Sequence, residues 1–420
     1  MTSAEPTAAT VDGDVDAMLA QLLLTPEGRR DPYPLYARVR EAAPVHHSGL
    51  GFWVVSGFDN SQFVLRDPRF GKGAREEKLA ELSPEAEAAL DQIRGRARSL
   101  LFLDPPDHTR LRGLVSQAFT PRTVERLRPH VERLLDDLLD QIEAGSDAGA
   151  TDVMEAMAFP LPVTVIGEML GIPVSDRLAF QPLVRASTVL LEIAVGSDEL
   201  IAAAAAGETM YAYFVDLLAE RRRHPGEDLL SALLAARDGG DALTTDELIS
   251  TVTLLFGAGF ETTTNLIGNG LLALLRHPDE LARLRRDRTL MRGAVEELLR
   301  YDSPVQLDGR MAMDDVVIGG RRVQAGESVV TLLGASNRDP DRFVEPDRLD
   351  LGRDEGPPLS FGSGIHYCLG ASLARLEGQV VFGRLLDRFA AMELATDTVD
   401  YRTSLTLRGL VELPVRFRAA

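Results

Sequence analysis

The sequence predicts a mainly α-helical fold, one helix-rich domain over residues 1–420 with a small β region built from both ends of the chain. Three observations predict it. From residue 77 to about 300, apolar residues return every third or fourth position, as in "VERLRPHVERLLDDLLDQIEAG", the period of an amphipathic helix. Aromatic and β-branched runs punctuated by Gly and Asn fall in about 45–66, 306–335 and 392–420, which reads as strand. No repeat and no long linker divides the chain.

Taken in order, the first ~25 residues are rich in Ala, Thr and Asp and are expected to fray as a flexible terminus. "VHHSGLGFWVVSGFDNSQFVL" reads as a hairpin. The helical stretch follows. "MDDVVIGGRRVQAGESVVTLL" returns to strand, with Gly319-Gly320 as a two-residue turn. "LTLRGLVELPVRF" closes the chain as strand.

Net charge is −19, from 45 basic and 64 acidic residues. That excludes nucleic acid as a partner held by bulk electrostatics and argues against anionic membrane surfaces. "MLAQLLL" is too short to span a bilayer and lacks the flanks of a secretion signal. The expected location is cytoplasmic, which suits a chain with one cysteine and therefore no internal disulfide or multi-cysteine metal site.

That cysteine, Cys368, lies in "FGSGIHYCLG". Leu373, Leu376, Val380 and Leu386 form a helical stripe just after it, so the thiol sits near a helix N-terminus, where free N–H groups favour a thiolate. Gly362, Gly364 and Gly370 let backbone turn tightly against a flat object. A sulfur ligand on such a loop describes a haem-iron site. A structural cysteine in a turn is the competing reading.

"TTDELISTVTLLFGAGFETTTNLIGNGLLALLRHPDE" reads as a helix of about thirty residues, opened by Thr244 and Glu247 at capping-box spacing and followed by Pro278. "VTLLFGAGF" is apolar on every side, so the helix is buried. Gly257 and Gly259 each cost ~1 kcal/mol mid-helix, and Glu261 places an acid inside the apolar run. Thr262 is spaced to return a hydrogen bond to the Ala258 carbonyl. Together these make a groove where a small ligand could lie against backbone; close helix packing at the glycines with Glu261 in solvent is the alternative. Gly268, Gly270 and Ala273 satisfy GxGxxA, but no strand precedes them, so no dinucleotide site is expected.

"FGSGIHYCLGASLAR" resembles the cysteine signature of the cytochrome P-450 family, with Phe361, Gly362, Gly364, His366, Cys368, Gly370, Ala374 and Arg375 at its positions, and "AGFETT" resembles its oxygen-binding segment. The resemblance runs from "DPYPLYARVR" onward. It implies the cytochrome P-450 fold, with haem b buried between the long central helix and the cysteine loop. It implies Cys368 as the iron ligand, with Phe361, Gly362 and Gly370 around it. Glu261 and Thr262 become the acid–alcohol pair that guides protons to dioxygen. His108, Arg112, Arg310 and His366 become the clamp on the haem propionates. Glu297 and Arg300 become the structural ion pair, whereas the same spacing at Glu125/Arg128, Glu220/Arg223 and Glu280/Arg283 is expected to be solvated.

The implied reaction inserts one atom of dioxygen into a C–H or C=C bond of a bulky apolar small molecule, a polyketide, macrolide, terpenoid or steroid. Electrons would come from NAD(P)H through a ferredoxin and its reductase, docked near Arg110, Arg122 and Arg375. Leu254, Ala258, Leu307 and Leu405 are expected to face the substrate, with recognition segments at 71–101 and roughly 180–210. No membrane or nucleic-acid partner is expected, and the protein is expected to be a monomer. A peroxygenase or isomerase on the same fold, or a non-catalytic haem sensor, would keep Cys368 without needing Glu261 and Thr262.

Overall fold

The computed structural model describes residues 8–73, 82–95, 98–116, 119–145, 149–193, 195–236 and 242–419. Contacts group them into two compact units: 1–73, 268–368 and 396–413 in the first, and 74–267, 369–395 and 414–420 in the second. The strands are β1 (Val45–His47), β2 (Trp53–Val55), β3 (Phe70–Gly71), β4 (Thr151–Asp152), β5 (Leu307–Ala312), β6 (Val316–Ile318), β7 (Arg321–Val323), β8 (Ser328–Leu332), β9 (Phe389–Leu394) and β10 (Pro414–Ala419).

The first unit holds a five-stranded sheet, β1-β2-β8-β5-β3. Its buried face joins Val45, Val55, Phe70, Ala312 and Val329 into one core. The β6–β7 hairpin turns at Gly319 and Gly320, both at positive φ (53° and 82°), with Ile318 opposite Arg321. A two-residue turn demands that geometry at both positions, and the glycine pair supplies it.

Two local expectations are corrected here. Residues 58–66, read as part of the β region, form helix Phe58–Arg66. The Asp339 carboxylate accepts the Phe58 amide at 2.7 Å, so a side chain 281 residues away opens this helix, and no nearby residue announces it. The expected frayed terminus is helix Ala8–Leu24. Val15, Leu19 and Leu22 are buried, and Asp16 binds His46 Nε2 at 2.9 Å and the Gly49 amide at 3.0 Å. Residues 1–7 lie outside the described residues.

The second unit is helical, with a three-stranded sheet β4-β10-β9. Its core is apolar and aromatic. Phe256 meets Phe180 at 5.0 Å and Phe260 at 5.4 Å between ring centroids, and Phe260 meets Phe159 at 5.5 Å. Edge-to-face contacts of this kind favour one mutual orientation, and they fix the rotation of the long helix. Of the recognition segment 71–101, residues 74–81 and 96–97 lie outside the described residues; the remainder includes helix Pro84–Arg94, capped by Ser83. Among the described residues no helix is long and apolar enough to cross a membrane.

Candidate active site

Cys368 ends a tight loop in the first unit. Its amide donates to the Phe361 carbonyl at 2.9 Å, and the residue is exposed. Gly362 and Gly364 sit at φ 69° and 72°. A Cβ on Gly364 would lie 2.4 Å from the Leu65 carbonyl oxygen, so this loop rests on helix Phe58–Arg66 through bare backbone. Helix Ala371–Arg388 starts three residues past the thiol, as its apolar stripe predicts.

Glu297 and Arg300 hold the same loop from behind. Arg300 Nε and Nη2 donate to the Glu297 carboxylate at 2.7 and 2.9 Å, and both residues are buried. The guanidinium also donates to the carbonyls of Asn337, Pro346 and Arg348. The Asn337 side chain in turn accepts the Leu359 amide at 2.7 Å and donates to Ser360 Oγ at 2.9 Å. One buried ion pair thus reaches the residue before Phe361 in two steps. Arg353 completes the cluster, with Nε 3.1 Å from Glu297; nothing in its local sequence marked it.

The three similar pairs differ from this one. Glu125–Arg128 is on the surface, as expected. Arg223 donates to its own helix at the Ala219 carbonyl, and Glu220 pairs with Arg221 instead. Glu280 is mostly covered and accepts the Leu351 amide at 2.9 Å as well as Arg283. The expectation of a solvated pair is corrected there: Glu280 ties its helix to the segment after Asp350.

Arg310, on β5, is buried beside Asp308. Burial by itself would raise the Asp308 carboxyl, but the Arg310 and Lys72 charges outweigh it and hold it well below the usual carboxylate range. Every bond the structure gives Arg310 comes from Nη1, to Asp308 and the Gly309 carbonyl. Among the described residues Nε and Nη2 have no acceptor, which leaves them for a further one. Lys72, 2.6 Å from Asp308, is a second cation that sequence reading missed. His366 is half-buried in the cysteine loop.

Helix Thr245–Arg276, whose residues 245–267 belong to the second unit, has the predicted length and start: Thr244 and Glu247 exchange both capping-box bonds. Gly259 is a packing glycine, since a Cβ there would lie 2.9 Å from Ile166. Glu261 is nevertheless buried, at 3% exposure, so the alternative that put it in solvent fails. Thr262 Oγ1 donates to the Ala258 carbonyl at 3.0 Å, the bond its spacing predicts. Ala258 is exposed, and Leu254 and Thr262 are half-exposed. Residues 254, 258 and 262 therefore form an open stripe, one turn apart, on a helix whose Phe256 and Phe260 face is sealed. His108 is buried and Arg112 half-buried, four apart on helix Asp107–Ser116.

Other sequence-predicted residues stand differently. Leu307 is buried, opposite Leu332 in the sheet. Leu405 lines a small cavity with Leu22, Arg29, Tyr36 and Arg408. Neither belongs to an open apolar stripe of the kind Leu254 and Ala258 form. Arg110 is paired with Glu247 and so is less available to a docking partner than Arg122, which is exposed.

Glu377 was also missed. It lies in helix Ala371–Arg388 at 1% exposure, and its Oε2 has no hydrogen-bond partner among the described residues. Desolvation raises its carboxyl to about 8. The acid is therefore neutral in the folded protein at pH values where the unfolded chain ionises it. Stability from this group is full below its ordinary pKa near 4.5 and is lost as pH rises towards 8. Glu377→Gln should match wild type in thermal unfolding at pH 5 and melt higher at pH 8; melts at the two pH values check this.

A profile of the cytochrome P-450 family matches residues 201–415. The monooxygenase PikC of Streptomyces venezuelae is 43% identical over 396 residues, covering 92% of this chain and 91% of that protein. The chain belongs to the cytochrome P-450 family. The 6-deoxyerythronolide B hydroxylase of Saccharopolyspora erythraea is 41% identical over 396 residues, covering 92% and 96%. The solved structure of P-450BioI, bound to an acyl carrier protein carrying hexadec-9Z-enoic acid, superposes with TM-score 0.85 at 38% identity, covering 93% of this chain and all of that one. The protein is thus a P-450 monooxygenase of mainly helical fold, and its cofactor is the family's haem with a thiolate ligand. The residues present fit that group. The P-450 chain offers one thiol, on a loop made shallow by glycine, and a buried arginine with donors to spare.

Proposed function

We propose that this P-450, acting as a single domain, hydroxylates or epoxidises a bulky apolar secondary metabolite of the polyketide, macrolide, terpenoid or steroid kind. Electrons come from NAD(P)H through a ferredoxin and its reductase in the cytoplasm. The observation that carries the reading is the open stripe of Leu254, Ala258 and Thr262, with the Thr262 hydroxyl held by the Ala258 carbonyl. Leu254 and Ala258 give a substrate an apolar surface without charge. Thr262 presents one fixed hydroxyl at its end. The 6-deoxyerythronolide B hydroxylase and the polyketide biosynthesis P-450 PksS of Bacillus subtilis, both relatives of this chain, support the substrate class.

Haem, when bound, supplies dioxygen reduction and the electron-donating push of a thiolate. Cys368 would provide that thiolate. By the family resemblance, His108, Arg112, Arg310 and His366 would hold the propionates. Arg310 is best prepared, because Asp308 fixes its orientation through Nη1 and leaves its remaining donors available. Glu261 would carry protons inwards, and the Thr262 hydroxyl, held by the Ala258 carbonyl, would direct them.

The test is coupling. In Thr262→Ala, NADH consumption should continue while product falls and hydrogen peroxide rises. In Glu261→Gln, turnover should slow more than it uncouples, because the amide keeps shape but cannot cycle a proton. Positioned acid–base groups contribute about 10²–10⁴ in rate. An unchanged product-to-NADH ratio and rate in both variants would remove this proton-delivery role.

A further inference from the structure

Lys72 stands one residue past β3, the edge strand of the five-stranded sheet. β3 runs antiparallel to β5, with Phe70 opposite Ala312 and Gly71 opposite Met311, so the next step in the register sets Lys72 opposite Arg310. Two cations directly opposite each other repel. Asp308 lies two residues before Arg310 and so on the same face of β5. Its Oδ1 accepts from both, from Lys72 Nζ at 2.6 Å and from Arg310 Nη1 at 2.6 Å. The Gly309 carbonyl is shared in the same way, at 3.2 and 3.0 Å. All of these residues lie in the first unit.

Arg310 and Asp308 would by themselves make a complete ion pair. Lys72 adds a second cation to the same carboxylate oxygen, and it does so nearly sealed from water, with 7% of its side chain exposed against 2% for Arg310. Bringing an ammonium to such a place carries a desolvation penalty, and an Arg–Asp pair needs no third member for its own balance. Burial alone would raise the Asp308 carboxyl, but the charges of Arg310 and then Lys72 outweigh it. The carboxylate therefore stays ionised, and its charge is divided between two cations. So divided, it cannot neutralise Arg310. Arg310 meanwhile bonds only through Nη1 among the described residues, which leaves Nε and Nη2 for an anion.

We propose that Lys72 is a charge-balancing residue for the cofactor: by drawing on the Asp308 carboxylate, it leaves Arg310 a net cation able to hold a haem propionate. This rests on the reading of Arg310 as a propionate ligand given above. Lys72 is a positioning residue, acting through Asp308 and Arg310. Without it, Asp308 would direct its whole charge at Arg310, and a propionate would meet a neutral pair in place of a cation. The retained positive charge also favours the electron added on reduction of the haem.

The test loads wild type, Lys72→Arg, Lys72→Met and the double variant Lys72→Met/Asp308→Asn with haem. Two readouts need no turnover: the rate of haem transfer to excess apomyoglobin, and the midpoint potential. Lys72→Met should lose haem about tenfold faster, the scale of one weakened charge-assisted hydrogen bond, and its potential should fall. Lys72→Arg should stay near wild type. In the double variant the carboxylate that neutralises Arg310 is gone, and the amide oxygen can still accept from Nη1, so both readouts should return towards wild type. A side chain that served packing alone would not be rescued by removing an acid. A Lys72→Met protein with the wild-type rate and potential would overturn the proposal, as would a double variant as impaired as the single one. Should Lys72→Met fail to fold, recovery of holoprotein in the double variant supports the proposal, and no recovery overturns it. Arg310→Ala separates this from the reading beneath it. If its haem loss matches wild type, the propionate role of Arg310 falls; if it loses haem fast while Lys72→Met does not, only the role of Lys72 falls.

Discussion

Cys368→Ser should abolish the far-shifted Soret band of the reduced, carbon monoxide-bound holoprotein, and all monooxygenase turnover with it. The physical reason is the absence of a substitute. The sequence contains one cysteine, so no neighbouring thiol can take over. A serine oxygen on the same loop donates less electron density than a thiolate, which is what favours O–O cleavage. The loop should survive the change, because the bonds that close it are backbone bonds: Cys368 N–H to Phe361, Gly362 N–H to Leu359 and Tyr367 N–H to Gly364. Circular dichroism and melting should therefore stay near wild type while the spectrum changes. A normal band in Cys368→Ser would disprove the ligand assignment outright.

The second large effect is on folding and haem retention. Arg300→Ala and Glu297→Ala should each yield little holoprotein. Removing one partner of a buried pair costs about 3–5 kcal/mol, because the other charge stays buried without its counterion. Here the loss extends further. Arg300 loses three carbonyl acceptors as well as Glu297, and Glu297 holds the Asp350 amide and Arg353. The Asn337 relay to Leu359 and Ser360 carries the disturbance to the entrance of the cysteine loop. Glu125→Ala, at the surface pair, is the control and should be nearly silent, since an exposed pair of this spacing contributes only about 0.3–0.5 kcal/mol. Glu280→Ala should fall between them through its bond to Leu351. Haem content per folded protein measures all four, and equal losses at Glu297 and Glu125 would refute the distinction.

The sequence by itself determined whatever depends on residue type and short spacing. The glycine pattern around Cys368, the capping box at Thr244 and Glu247, the Thr262–Ala258 bond and the Gly319-Gly320 turn are interactions between residues at most eight apart. Their partners can be read from the chain. The apolar centre of the long helix likewise announced its own burial, but left open whether Glu261 was buried with it or faced solvent; the tertiary structure decided that.

Only the tertiary structure decided the rest, because the partners there are far apart in sequence. Helix Phe58–Arg66 depends on Asp339, and helix Ala8–Leu24 on contacts with His46 and Gly49. Glu297 and Glu280 share one spacing motif, yet one is sealed and the other partly covered, since burial comes from the segment around 337–353 rather than from the motif. The same holds for Glu377. Its side chain says what charge it can carry, but desolvation is a property of everything folded around it, and that is what makes it a neutral acid.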